Sequence, residues 1–111
     1  MAIKNSVRAE ILTSFSSADL TGVFQAINPL GLSRPCGLIR LVNDTDVDVV
    51  VSYNGIDEND YLQTGKVLEV NIRTSSDYNH LAQFSKGTVV YVSGGAGQSG
   101  YLYLTAYSQE E

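Results

Sequence analysis

Gly95-Ala-Gly97-Gln-Ser-Gly100 has the G-x-G-x-x-G spacing of loops that cradle the pyrophosphate of a dinucleotide. In such a loop the glycines open a helix, and the helix N-terminal N–H groups face the phosphates. The residues before the motif fit that role, because 88–93 (Thr-Val-Val-Tyr-Val-Ser) read as a strand. The residues after it do not. Tyr101-Leu-Tyr-Leu-Thr-Ala-Tyr107 alternates with period two and carries side chains suited to a pleated surface. Between there and Glu111 there is no room for a crossover helix, or for a ribose-binding acid about 20 residues on. The glycine segment is therefore read as a flexible hairpin connection between the last two strands. No cofactor is expected.

Asp44-x-Asp46-x-Asp48 opens like a calcium-binding loop and then departs from it. The sixth position is Val49, where the sharp turn needs glycine, and the twelfth is Gly55, where a bidentate glutamate belongs. Asp57, Glu58 and Asp60 form a second acidic group. Across a strand at 47–53 the two groups could meet as a weak cation site. The favoured reading is a solvated turn and strand start, with no metal.

Nucleophilic chemistry has little to build on. Cys36 is the single cysteine and His80 the single histidine, and Arg34-Pro-Cys-Gly37 is turn-like with no cysteine-centred motif. Cys36 reads as a small, partly buried apolar residue. A Ser–His–Asp set can be assembled around His80, but no G-x-S-x-G elbow is present. Carboxylate pairs for glycoside hydrolysis can be drawn at will from twelve acids, so they single out no residues. No catalytic residue is assigned.

The composition narrows the remaining classes. The net charge is −5, and the seven lysines and arginines are scattered, which argues against a nucleic-acid partner. Hydrophobic residues make up 43% of the chain, enough for a packed core. The longest apolar runs, such as Val49-Val-Val51, are strand-sized, so no membrane span is expected. The first eight residues carry charge but no apolar signal segment, so folding in a cytoplasm is expected, with later release possible within a larger particle. Asn43-Asp-Thr45 fits a glycosylation sequon but carries little weight without such a segment.

The elements that would hold these residues are strands. Residues 7–13 alternate and read as a first strand, with 14–22 as a loop and 22–28 as a second short strand. Pro29, Gly31, Pro35 and Gly37 punctuate a long connection anchored by Leu30 and Leu32. Residues 38–42 form a strand, 43–46 a turn of residues that bond their own backbone, and 47–53 a strand with Val47, Val49, Val51 and Tyr53 on one face. Asn54-Gly55 signals a tight turn. Short extended segments at 61–63, 67–73, 81–84, 88–93 and 101–107 complete the series, with a polar loop at 74–80. No stretch of helical length has a helical period. The prediction is an all-β fold: a two-sheet antiparallel β-sandwich, jelly-roll-like, of about eight short strands. An immunoglobulin-type sandwich would give a similar pattern, and strand order is not legible. Residues 1–111 are expected to form one domain, with 1–5 as an N-terminal arm.

Along the last strand Tyr101, Tyr103 and Tyr107 share one face with Thr105, and Leu102, Leu104 and Ala106 share the other. The leucine face is the natural core face. The tyrosine face then has three readings. It packs under a neighbouring strand or loop, it forms a protein interface, or it stacks on carbohydrate.

Ile39-Arg-Leu-Val-Asn-Asp-Thr-Asp46, Val49-Val-Val-Ser-Tyr-Asn-Gly55, Phe84-Ser-Lys-Gly-Thr-Val-Val-Tyr-Val92 and Ser99-Gly-Tyr-Leu-Tyr-Leu-Thr-Ala-Tyr107 together resemble small structural proteins of tailed phages. The nearest likeness is to the capsid decoration, or stapling, proteins of epsilon15-like short-tailed phages, and it covers roughly residues 37–108. The resemblance implies a β-sandwich on the outside of the virion capsid that clamps neighbouring major capsid protein subunits. It also implies self-association as a homodimer or other symmetric oligomer, with no catalysis and no cofactor. The contact residues expected on this reading are Ile3, Lys4 and Asn5 of the arm and Tyr101, Tyr103 and Tyr107 of the last strand. The alternative is a glycan- or host-surface-binding module of a phage tail or fibre.

Overall fold

A computed structural model describes residues 7–71 and 84–109. Their regular structure is almost wholly β: β1 (Val7–Ala9), β2 (Thr13–Ser16), β3 (Gln25–Ala26), β4 (Leu38–Thr45), β5 (Val49–Ser52), β6 (Asp60–Leu62), β7 (Val67–Asn71), β8 (Tyr91–Ser93) and β9 (Gly100–Gln109). One 3-10 turn, Ser17–Asp19, interrupts them, capped by the Ser16 hydroxyl, which accepts from the Ala18 N–H. No helix of the described residues is long and apolar enough to cross a membrane.

All strand pairs are antiparallel. The first sheet has the order β1-β9-β4-β7, with β2 also paired to β9, and the second has the order β3-β8-β5-β6. Taking β1 and β2 as halves of one interrupted strand, the pairs are first with last, second with second-last, and so inward: β2–β9, β3–β8, β4–β7, β5–β6. That nesting is the jelly roll, and it realises the predicted sandwich.

Alternation explains why the two sheets adhere. Ile39 and Leu41 of β4, Val49 and Val51 of β5, Val92 of β8, and Leu102, Leu104 and Ala106 of β9 all point inward and are buried. Leu20, Ile27, Leu32, Cys36, Leu62 and Val90 complete the core, and Phe15, Val47, Tyr53, Leu68 and Phe84 pack against it. Each fully buried aliphatic side chain contributes about 1.5–3 kcal/mol relative to exposure.

Several expectations change. The strand read at 7–13 is broken. Ala9 pairs with Tyr107 and Thr13 with Leu104, so residues 10–12 lie opposite only 105 and 106. The extra residue makes a bulge, and pairing resumes through Ser14, Phe15 and Ser16, where the sequence predicts a loop. Only Gln25–Ala26 of the 22–28 segment is a strand. β4 continues through Thr45, so the turn read at 43–46 is displaced to 46–48. The 94–100 segment is not a hairpin connection: β8 lies in one sheet and β9 in the other, so it crosses between sheets. Of the connection's two anchors, Leu32 is buried but Leu30 is 98% exposed. The loop expected at 74–80 and nearly all of the strand expected at 81–84 lie outside the described residues. Phe84 itself forms a β-bridge with Cys36.

Candidate functional site

The tyrosine row of β9 lies on the outer face of the first sheet, with Leu102, Leu104 and Ala106 buried beneath it. Directly opposed residues of antiparallel strands share a face, so the register fixes the neighbours. Tyr101 lies between Ser16 and Asp44, and Tyr103 between Ser14 and Val42. Thr105 is opposite Arg40, which is opposite Glu69, and Tyr107 lies between Ala9 and Leu38. Tyr101 is 48% exposed, while Tyr103 and Tyr107 are half-buried against these neighbours. The Tyr101 and Tyr103 rings are 6.2 Å apart and inclined by 36°. The rings therefore pack within their own sheet and still present an aromatic outer surface. Ile3, Lys4 and Asn5, the other expected contact residues, lie outside the described residues, as does His80.

The acidic residues are not gathered into a site. Asp44 faces outward from β4 beside Tyr101. The Asp46 carboxylate turns to the glycine loop and accepts from the backbone N–H of Gln98 at 3.0 and 3.1 Å, and from Ser99 at 3.4 Å. Asp48 accepts from the Thr64 N–H and the Tyr61 hydroxyl, both at 2.8 Å. Asp60 accepts from the Tyr53 hydroxyl and Asp57 from the Asn54 amide, each at 2.8 Å. These donors hold Asp46 and Asp48 below the ordinary carboxylate range: for Asp46 chiefly the Gln98 N–H, for Asp48 chiefly the Thr64 N–H and then the Tyr61 hydroxyl. Val49, at the sixth position of the calcium-like pattern, is a core residue of β5. Among the described residues no group of three or more His, Cys, Asp or Glu is placed to hold a metal. The carboxylates tie loops to strands.

The dinucleotide-like motif is explained in the same way. Gly97 passes so close to Ser17 that an added Cβ would lie 2.8 Å from its Oγ, and the Asp46 carboxylate blocks the same space. The Gly97 N–H donates to the Ser17 carbonyl at 2.9 Å, and the Ser17 hydroxyl donates to the Ser99 carbonyl at 3.0 Å. Loop N–H groups that would face phosphate in a cofactor site here face a carboxylate of the same chain, and a strand follows instead of a helix.

Asn43 of the sequon is fully buried. Its Nδ2 donates to the carbonyls of Val47 (2.9 Å) and Leu62 (3.1 Å), and its Oδ1 accepts from the Thr45 N–H and hydroxyl. No glycosyl group can reach it in the folded chain. Cys36 is likewise fully buried, and burial, reinforced by Glu10, pushes its thiol up to about 11. A thiol so placed is protonated and unreactive near neutral pH. Burial, then Asp60, pushes the Tyr53 phenol upward as well.

Sequence reasoning missed the exposure of several aliphatic residues, among them Ile11 at 89%, Leu30 at 98% and Ile56 at 80%. A signal was present for the first. Ile11-Leu12 places two large apolar residues side by side, and a regular strand must send one of them outward. Compared with protein-family models, with curated proteins and with solved structures, the chain matches none.

Proposed function

We propose that this chain is a structural protein of a tailed-phage virion. It binds the outside of the capsid and lays the tyrosine face of its first sheet across neighbouring major capsid protein subunits. It has no catalytic role and uses no cofactor. The observation that carries the reading is the row Tyr101, Tyr103 and Tyr107, held outward by the burial of Leu102, Leu104 and Ala106. Tyrosine supplies large contact area at small entropic cost, and its hydroxyl finds a partner when covered. The sheet beneath is ordered by long β4–β9 pairing, so the face is preorganised for a flat partner. The likeness of four segments to phage decoration proteins supplies the choice of partner. Each copy needs only modest affinity, because contact with several subunits adds avidity.

The test is to mix the purified chain with capsids stripped of accessory proteins. Saturable, ordered attachment on the outer surface is expected, and Tyr103→Ala is expected to lower occupancy while leaving the chain folded. Unchanged occupancy in that variant would remove the tyrosine face from the proposal. Absence of attachment together with specific binding on a glycan array would replace it with the carbohydrate-binding reading.

A further inference from the structure

The bulge in the first strand has a counterpart elsewhere on the molecule. Between β1, the bulge and the 28–34 connection lies an open groove of about 550 Å³. Its walls are mainly apolar, with Pro29 and Ala106 among them, and Ile11 and Leu30 stand exposed at its rim. Among the described lining residues the one carboxylate is Glu10. It accepts from the Ser33 N–H (2.9 Å) and hydroxyl (2.6 Å), and so fastens the connection to the bulge. The other charged residues of the described lining, Arg34 and Arg8, are cationic, Arg8 with an interaction of its own within the chain, so two cations and one carboxylate leave the lining at +1 on a chain that carries −5.

The β5–β6 loop has the opposite character. Ile56 projects at its tip, 80% exposed, followed by exposed Asp57 and Glu58. The tip is rigid. The Asn54 Oδ1 accepts from the N–H groups of Ile56 and Asp57 at 2.9 Å each, and its amide donates to Asp57. A Cβ added at Gly55 would come within 3.2 Å of the Tyr91 ring, so the turn passes close beside it. An apolar knob with two acids beside it therefore matches an apolar groove with cationic lining in both shape class and charge. Both are preformed, which lowers the ordering cost of bringing them together.

We propose that a second copy of this chain seats its Ile56-Asp57-Glu58 loop in this groove. The contact cannot form within one copy. β3, which leads into the groove, and β6, which follows the knob, are opposite edges of the four-stranded sheet. It is a head-to-tail contact that leaves a free knob and a free groove at the ends, so assembly continues past the dimer, into a ring if the rotation closes and a filament if it does not. It uses neither Tyr101 nor Tyr103 and does not depend on what the tyrosine face binds.

Sedimentation velocity over a concentration series tests the contact. Wild type is expected to pass from the 12.0 kDa monomer to species beyond a dimer, and more weakly at high salt. Ile56→Asp and Leu30→Asp, both at exposed positions, are each expected to weaken association by about tenfold or more. An equimolar mixture of these two variants is expected to stop at the dimer, because one intact knob meets one intact groove. Tyr103→Ala is expected to associate as wild type does. A wild type that stays monomeric, or single variants that associate normally, would overturn the proposal. So would a mixture that grows past the dimer, or loss of association in Tyr103→Ala.

Discussion

Asp46 and Gln98 lie 52 residues apart, and the Asp46 carboxylate holds the Gln98 backbone N–H between both its oxygens, at 3.0 and 3.1 Å. That contact joins the β4–β5 turn to the inter-sheet crossing and fixes where β9 begins. Because the N–H groups of Gln98 and Ser99 favour the ionised form, Asp46 titrates lower folded than unfolded. Its contribution to stability is therefore complete above the unfolded value of about 3.9 and is lost as the pH falls through the folded value. Asp46→Asn should melt below wild type at pH 6, and the two melting curves should begin to draw together only as the pH falls below about 4, toward the lowered folded value. A difference independent of pH would show that the charge is not what holds the loop.

Two glycines separate backbone strain from crowding. Gly65 and Gly100 both adopt positive φ, +76° and +95°. An added Cβ at Gly65 meets nothing within 4 Å, whereas at Gly100 it would lie 2.8 Å from the Thr45 Cα and strike the Asp44 carbonyl. Gly65→Ala should cost the conformational penalty alone, about 1–2 kcal/mol. Gly100→Ala should cost clearly more, because the backbone at the start of β9 must move. Urea denaturation of the two variants checks the order.

Which parts of this fold were legible in the sequence follows from where side-chain alternation sets the structure. Leu102, Leu104 and Ala106 against Tyr101, Tyr103 and Tyr107 could be read because a strand buried on one face has period two. The strand order could not, because it depends on which sheet each strand joins. Gly94 to Gly100 looks the same in sequence whether it closes a hairpin or crosses between sheets. The bulge at residues 10–12 escaped for a related reason. It is set by the count of residues on the partner strand β9, which is remote in sequence. The acidic residues were legible as a solvated turn and strand start, but their individual partners were not. Asp44, Asp46 and Asp48 would share a face on one regular strand, but β4 ends at Thr45, and the three carboxylates diverge to the outer face, the glycine loop and β6.

Asn43 offers a sharper test of the buried polar network. Its amide donates to two carbonyls, and its oxygen accepts from Thr45. Asn43→Ala should cost at least about 2 kcal/mol, because the Thr45 donors and the Val47 and Leu62 carbonyls lose a partner. Asn43→Asp has nearly the same shape, but an ionised carboxylate would turn an oxygen toward those two carbonyls. Its folded pKa should be raised, so its stability relative to wild type should fall as the pH climbs past about 3.9. Denaturation of Asn43→Asp at pH 4 and pH 7 reads this directly. Equal penalties at the two pH values would contradict the assigned orientation of the amide.

Cys36 supplies a probe of how the core opens. It is fully buried, its backbone pairs with Phe84 (Cys36 N–H to Phe84 carbonyl, 2.8 Å), and its Sγ lies 3.3 Å from the Arg34 carbonyl. With the thiol pushed up to about 11, the folded chain offers a thiol reagent neither access nor thiolate at pH 8. Labelling should therefore be slow and should proceed through opening of the Cys36–Phe84 bridge, accelerating when that bridge is weakened. Phe84→Ala removes a ring packed 5.6 Å from Tyr53 and should raise the labelling rate by roughly tenfold or more. Labelling of the wild type at the rate of a free thiol in water would show that the Cys36 environment is open in solution. The core placement of the 36–37 segment would then have to be abandoned.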